Sequence, residues 1–263
     1  MKLGFIGAGN MAQAMIGGIL AKGIVKKDEI IASAATQKTI DKVSEEFGVN
    51  VTLDNTEVAK ADIVFLAVKP VYYQEVIDEI KSVVNENQII ISVAAGKSVE
   101  WVENAFGGEK KIVRIMPNTP ALVGEAVTAI CPNKNVSDEE KKVVSELLSS
   151  FGIAQFINEN IMDAVIAVSG SSPAYVFMFI EAMADAAVAG GMPRAQAYQF
   201  AAQSVLGSAK MVLETGKHPG ELKDMVCSPA GTTIEAVKVL EEKGFRSSVI
   251  EAMSACADKS RNM

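Results

Sequence analysis

Leu3-Gly4-Phe5-Ile6-Gly7-Ala8-Gly9-Asn10-Met11-Ala12 is an apolar strand that runs into a glycine-rich turn, and residues 11–22 continue with the apolar spacing of an amphipathic helix. A GxGxxA pattern by itself is common, but set between a strand and a helix it marks a dinucleotide site. Each small residue has its own reason to be there. Gly7 permits the tight turn, Gly9 removes a side chain where backbone must touch a pyrophosphate, and Ala12 lets helix and strand pack closely. The helix N-terminus, opened by Asn10 and Met11, offers free N–H donors and the positive end of the helix dipole. Gly7, Ala8, Gly9, Asn10, Met11 and Ala12 are therefore expected to bind the coenzyme.

The identity of that coenzyme turns on the end of the second strand, where an acidic residue would grip an adenosine ribose. Here the chain reads Ile31-Ala32-Ser33-Ala34-Ala35-Thr36-Gln37-Lys38, with no carboxylate. A 2′-phosphate is repelled by an acid and favoured by hydroxyls, an amide and an ammonium group. Ser33, Thr36, Gln37 and Lys38 thus favour NADP(H), with NADPH preferred over NADH, although residues 36–38 also read as the surface opening of a helix.

Farther out, short β-branched runs at residues 2–6, 29–33, 62–68, 88–93 and 111–116 alternate with helical patterns at 11–22, 38–47, 72–83 and 99–106. That rhythm predicts a mostly parallel sheet wrapped by helices, a Rossmann-type domain. Two more strands, at 124–131 and 153–157, flank a helix capped by Ser137 and Asp138. After Asn160 every strand signal stops and long Ala- and Met-rich helical stretches take over. The expected organisation is α/β, with a coenzyme domain at residues 1–160 followed by an all-α dimerisation domain at 161–263. The run at 174–190 is apolar on nearly every face, and Glu181 and Asp185 near its middle argue against a bilayer span. It reads as a buried helix, and burial against a second copy predicts a homodimer.

Composition narrows the rest. In 263 residues, 49% hydrophobic and 22% charged, with a net charge of −7, there is ample material for two cores and no basic stripe for nucleic acid. The three cysteines, Cys131, Cys227 and Cys256, are too few and too scattered for a disulfide framework or a metal site. A first strand beginning at Lys2 leaves no room for a targeting leader, so a cytoplasmic protein is expected.

Beyond the first turn the chain carries Phe65-Leu66-Ala67-Val68-Lys69-Pro70, Ser92-Val93-Ala94-Ala95-Gly96 and Met116-Pro117-Asn118-Thr119-Pro120. More specific are Ser169-Gly170-Ser171-Ser172-Pro173-Ala174-Tyr175, His218-Pro219-Gly220-Glu221-Leu222-Lys223 and Ser228-Pro229-Ala230-Gly231-Thr232-Thr233-Ile234. On these segments the sequence, from residue 2 to about 259, resembles the pyrroline-5-carboxylate reductase family. The resemblance implies that Asn55, Ala67, Val68, Lys69, Pro70, Ala94, Ala95 and Gly96 line the coenzyme ribose and nicotinamide. It implies a substrate carboxylate at Ser228, Ala230, Gly231, Thr232 and Thr233, with Asn118 and Ser172 also on the substrate and Thr233 as the principal hydroxyl. The loop at 228–233 would come from the partner subunit, and a ring of dimers is implied as the larger assembly. Read from residues alone, that loop is either an uncharged anion cradle or a helix start without a ligand. Ala230 and Ser172 stand where the family pattern has glycine, and Met225 stands where it has an amide.

The chemistry implied is hydride transfer to the C=N bond of 1-pyrroline-5-carboxylate, giving L-proline. A ketone needs a proton donor at the oxygen that becomes an alkoxide, whereas an imine nitrogen arrives protonated, so positioning dominates. The single histidine, His218, reads as a structural or capping residue before Pro219. A β-hydroxyacid dehydrogenase would carry a lysine in the first helix of its second domain, but the residues after Pro173 are Ala174, Tyr175, Val176, Phe177 and Met178. Tyr175 reads as a packed aromatic or as a proton donor. A non-catalytic NADP-binding regulator is the alternative of another class, and oxidation of NADPH by the imine acid separates it from an enzyme. At equal low concentrations NADPH should support faster turnover than NADH, and equal rates would remove the reading of residues 33–38.

Overall fold

The computed structural model describes residues 1–262, which form two compact units, one of residues 1–171 with 256–262 and one of Ser172–Ala255. In the first unit eight strands form one sheet: β1 Leu3–Ile6, β2 Ile30–Ser33, β3 Asn50–Thr52, β4 Ile63–Leu66, β5 Ile89–Ser92, β6 Lys111–Met116, β7 Ala126–Pro132 and β8 Gly152–Phe156. The order is β3-β2-β1-β4-β5-β6-β7-β8, parallel except between β6 and β7. The chain therefore reverses direction across the sheet between β1 and β4, the switch point at which doubly wound sheets open a crevice.

Alternation along the strands sends side chains to two cores. Leu3, Phe5, Phe65, Ile91 and Ile115 enter one cluster, while Ile6, Val64, Leu66, Ile90 and Ile112 enter the other. Phe5 and Phe65 stack at the centre, ring centroids 4.4 Å apart. Around the sheet lie α1 Asn10–Ala21, α2 Gln37–Phe47, α3 Asn55–Val58, α4 Tyr73–Ile80, α5 Val99–Phe106, α6 Asp138–Leu148 and α7 Met162–Val165. The sequence gives no warning of β3 or α3: Asn50-Val51-Thr52 is a three-residue edge strand with no buried residue, and α3 is a single turn capped by Asp54. Residues 124–131 start β7 two residues later than expected, because Gly124, at φ +75°, closes a 3₁₀ turn over Thr119–Val123.

The second unit is helical: α8 Ser172–Ala189, α9 Arg194–Thr215, α10 Pro219–Val226 and α11 Thr232–Glu242, with most of α12 Phe245–Arg261. Its break from the first unit falls at Ser171, later than the change in composition at Asn160, because Met162 is buried in the sheet's second core. Within one chain α8 is not the buried helix its composition suggests. Phe177 and Met178 are 63% and 69% exposed, and only Ala184 of this helix is buried. By length and hydropathy alone, Glu159–Ala189 would also suffice to cross a membrane.

Where β4 and β5 end, one buried phenol joins them. The Tyr73 hydroxyl donates to the Leu66 carbonyl at 2.5 Å and accepts the Val93 N–H at 3.0 Å. Burial pushes this phenol up from 10.0 to about 12, a rise that its hydrogen bonds to Ser92 and Val93 only partly offset. Because the folded value is the higher, the contribution is complete below pH 10 and is lost as pH climbs toward about 12. We expect Tyr73→Phe to cost about 1 kcal/mol at neutral pH. It should also remove up to roughly 3 kcal/mol of the alkaline decline seen in urea melts of the parent; identical alkaline slopes would refute the assignment.

Candidate functional site

The parallel strands end in a common row. Ile6 is in register with Ser33 on one side and Leu66 on the other, and Leu66 with Ser92. Every segment expected to hold coenzyme leaves from this carboxyl edge of the sheet.

The first segment turns at Gly7, whose φ is +95° and where a Cβ would stand 2.7 Å from the Ala67 carbonyl oxygen. Both facts demand glycine for the fold itself. Gly9 is different: it lies at φ −74° and ψ −177°, open to any residue, and a Cβ there would meet nothing within 4 Å. Protein packing does not require a glycine at this position, so its bareness leaves space beside the turn. Helix α1 then begins with no side-chain cap and no acid in its first turn, leaving its positive end open to an anion. Ala8 and Ala12 are buried, Met11 is half-buried and Asn10 is exposed.

At the end of β2, Ser33 is fully buried and its hydroxyl donates to Asn55 Oδ1 at 2.7 Å, while Asn55 Nδ2 donates to Glu79 at 2.7 Å. Thr36 caps α2, its Oγ1 accepting the Thr39 N–H at 3.3 Å, and Gln37 donates to Asp41 at 2.6 Å. Lys38 is exposed and enters no salt bridge among the described residues. The hydroxyls of Ser33 and Thr36 thus already have protein partners, and Lys38 is the freest donor of the group.

Past β4, Ala67 and Val68 are half-buried, and Lys69 is the exposed residue before a 3₁₀ turn that Pro70 opens. Past β5, Ala94 is buried, Ala95 half-buried, and Gly96 exposed at φ +73°. The Tyr73 hydroxyl lies beneath both segments, and the Lys97 ammonium sits 4.0 Å from the centre of the Trp101 ring. Neither Tyr73 nor Lys97 belongs to a motif that the sequence displays.

Asn118 is buried, with both ends of its amide engaged: Oδ1 accepts the Val127 N–H at 3.0 Å and Nδ2 donates to the Ser169 carbonyl at 3.1 Å. It anchors a π-helical stretch, Ile166–Gly170, which widens the turn just before Ser171. The Ser171 hydroxyl in turn takes a weak hydrogen bond from the Cys256 thiol at 3.1 Å.

In the helical unit, Ser172 opens α8, whose residues include no lysine or histidine. His218 caps α10, its Nδ1 accepting the Gly220 N–H at 3.1 Å, which uses the ring as a structural acceptor. The loop from Ser228 turns back on itself through a Gly231 N–H to Ser228 carbonyl bond of 3.0 Å. Helix α11 starts from extended Gly231 without a side-chain cap, with Thr232 and Thr233 as its first residues. Ala230 has φ +56°, and among the described residues no other non-glycine has a positive φ. This left-handed alanine carries about 1 kcal/mol of strain, at a position where the resemblance leads one to expect glycine.

A glycine-rich turn on an uncapped helix, joined to small-residue strand ends, is the geometry of a dinucleotide site, and the comparisons agree with it. Residues 159–263 match the family model for pyrroline-5-carboxylate reductase dimerisation, and residues 2–96 that for NADP oxidoreductase, coenzyme F420-dependent. The chain is 54% identical to pyrroline-5-carboxylate reductase of Escherichia coli K12 over 263 residues, all of this chain and 98% of that one. The chain belongs to the pyrroline-5-carboxylate reductase family. The Arabidopsis thaliana reductase is 42% identical across all of this chain and 95% of that protein. Among solved structures, the Coxiella burnetii reductase superposes with a TM-score of 0.92 at 34% identity, covering 99% of this chain and 97% of that one. The Plasmodium falciparum reductase with NADP bound gives 0.91 at 36%, covering 100% and 97%. A prephenate dehydrogenase from Aquifex aeolicus shares the fold at 16% identity and a TM-score of 0.57 over 94% of this chain and 98% of that one. The contrast between the two glycines of the first turn yields a direct test. Gly7→Ala should cost more than about 2 kcal/mol, whereas Gly9→Ala should leave the melting temperature almost unchanged, both read by thermal denaturation.

Proposed function

We infer that the chain reduces the C=N bond of 1-pyrroline-5-carboxylate to L-proline with NADPH, as the name of its reductase relatives indicates. One observation carries the reading of the coenzyme site: Gly9 is bare although no neighbouring protein atom requires it, beside a helix start left uncapped. The turn fits a pyrophosphate, since a Cβ at Gly9 would project into that cradle. Gly7, Ala8, Gly9, Asn10, Met11 and Ala12 hold it, Lys38 faces the 2′-phosphate from the strand end it shares with Ser33, Thr36 and Gln37, and Asn55 lines the ribose. Ala67, Val68, Lys69 and Pro70, with Ala94, Ala95 and Gly96, shield the nicotinamide from water. When bound, the coenzyme supplies the hydride that the iminium carbon accepts.

The residues on the substrate side need only hold an electrophile that already carries its proton. The backbone donors at the start of α11 and the hydroxyls of Ser228, Thr232 and Thr233 bind the carboxylate, with Ala230 and Gly231 shaping the loop. Asn118 acts through backbone it anchors, setting the π-helical turn that leads to Ser172. Three points favour an imine over a ketone. There is no lysine or histidine in α8, His218 is used as a cap, and the family is that of imine reductases. The competing β-hydroxyacid dehydrogenase reading has no lysine to use in α8.

The helical segment is a dimerisation domain of its family. A second copy is the natural cover for the exposed apolar faces of α8 and α9, and the loop at 228–233 would then complete the partner's site. A ring of such dimers belongs to the same proposal, supported by resemblance alone. A cytoplasmic setting is proposed with it, supported by three free thiols.

Thr233→Ala should raise the KM for the imine acid about tenfold or more, the loss of a hydrogen bond to a charged group, with the KM for NADPH unmoved. Steady-state kinetics with both substrates varied reads this, and an unaltered imine KM removes Thr233 from the site.

A further inference from the structure

The pyrophosphate turn is held from behind by a side chain that the family motif does not include. Gln13 Nε2 donates to the Ala8 carbonyl at 2.7 Å, and the Gln13 backbone N–H donates to the Gly9 carbonyl at 2.9 Å. One residue thus grips two successive carbonyls of the turn. In a planar trans peptide the N–H points opposite to the carbonyl. Drawing the Ala8 and Gly9 carbonyls toward Gln13 therefore turns the Gly9 and Asn10 N–H groups the other way, to the open side of the uncapped helix start.

The backbone half of that grip is an ordinary first helical bond, but the side-chain half is particular to this glutamine. Its amide is itself oriented, because Lys42 of α2 donates to Gln13 Oε1 at 3.1 Å, leaving the Nε2 end toward Ala8. Helix α2 follows the strand end assigned to the 2′-phosphate, so the pair also ties the two phosphate-binding segments together. Gly7, Ala8 and Gly9 are small and flanked by flexible bonds, and without the side-chain lock the Ala8–Gly9 peptide is free to rotate. Coenzyme would then have to order it on binding.

We propose that Gln13 is a positioning residue for the coenzyme: its side-chain amide fixes the Ala8–Gly9 peptide so that the Gly9 N–H faces the pyrophosphate, and Lys42 orients that amide. The inference rests on the coenzyme site proposed above. It deepens that reading by adding a residue that touches neither substrate nor coenzyme.

The experiment compares Gln13→Met, Gln13→Lys and Lys42→Met with the parent enzyme, by kinetics in NADPH and NADH and by thermal melts. Gln13→Met should raise the KM for both coenzymes by the same factor, about five- to tenfold, with kcat at saturation and melting temperature unchanged. Gln13→Lys, which can still donate to the Ala8 carbonyl, should restore most of the affinity, and Lys42→Met should show a smaller rise of the same kind. A purely structural role would lower the melting temperature and would not separate KM from kcat. An unchanged KM in Gln13→Met overturns the proposal, as does a rise confined to NADPH, which would assign the residue to the 2′-phosphate. Gly9→Val, titrated directly with NADPH, separates the two levels of the argument. If it binds as the parent does, the coenzyme site itself is wrong. If it binds weakly while Gln13→Met binds normally, only the role of Gln13 falls.

Discussion

The end of β1 is clamped from both sides by backbone hydrogen bonds. The Ala67 N–H donates to the Ile6 carbonyl at 2.8 Å, and the Gly7 N–H donates to the Ser33 carbonyl at 3.0 Å. These two bonds bring the starts of three loops to one point at the switch in strand order. They also force the chain at Gly7 to pass within contact distance of Ala67, which is why a side chain at that position has nowhere to go. Everything proposed for the coenzyme follows from this crowding, because the tightness of the turn aims α1 at the crevice instead of along the sheet.

Much of this was legible in the residues, for a physical reason: strand ends and helix starts have local signatures. The first turn and the Ser137 cap both depend on neighbours in sequence. What escaped detection depends on neighbours in space. Edge strand β3 has no hydrophobic pattern because only the end of the sheet recruits it. The Tyr73 bridge and the Gln13 lock need partners several residues or a whole strand away, and their residue types carry no periodic signal. The partner of Ser33 is of this kind: at the buried end of β2, in register with Ile6, its hydroxyl donates to Asn55, a residue 22 positions away.

The helical unit bears out the expectation that one chain cannot cover its apolar helix. Its composition identified an apolar helix, and burial was the natural inference, yet within one chain Phe177, Met178, Phe200 and Leu213 remain largely exposed. The small cluster of Ala184, Ala197 and Ala201, with Ile180, Met183, Val188 and Met192 packed against it, brings α8 and α9 together but leaves Phe177, Met178, Phe200 and Leu213 outside. Small residues at the contact and large ones beyond it make sense where a pair of helices must pack closely and then present an adhesive face to another pair. That arrangement also accounts for a run long and apolar enough to pass for a membrane span in a family whose segment is described by dimerisation.

The loop at 228–233, proposed to hold the substrate carboxylate, can be understood in the same terms. A carboxylate bound by N–H groups at a helix start needs the chain before that helix to turn sharply so that its donors converge, and a left-handed residue at 230 makes that turn. Glycine would adopt the conformation without strain, whereas alanine holds it at a cost but leaves the unfolded loop fewer alternatives. Strain in the folded loop and the entropy spared in the unfolded one are of similar size, about 1 kcal/mol each. Alanine can therefore stand at a glycine position with little net loss of stability, and the exchange gives a cradle that is better ordered before its ligand arrives. Preorganisation suits the proposed imine reduction, in which the holding of the electrophile supplies much of the rate.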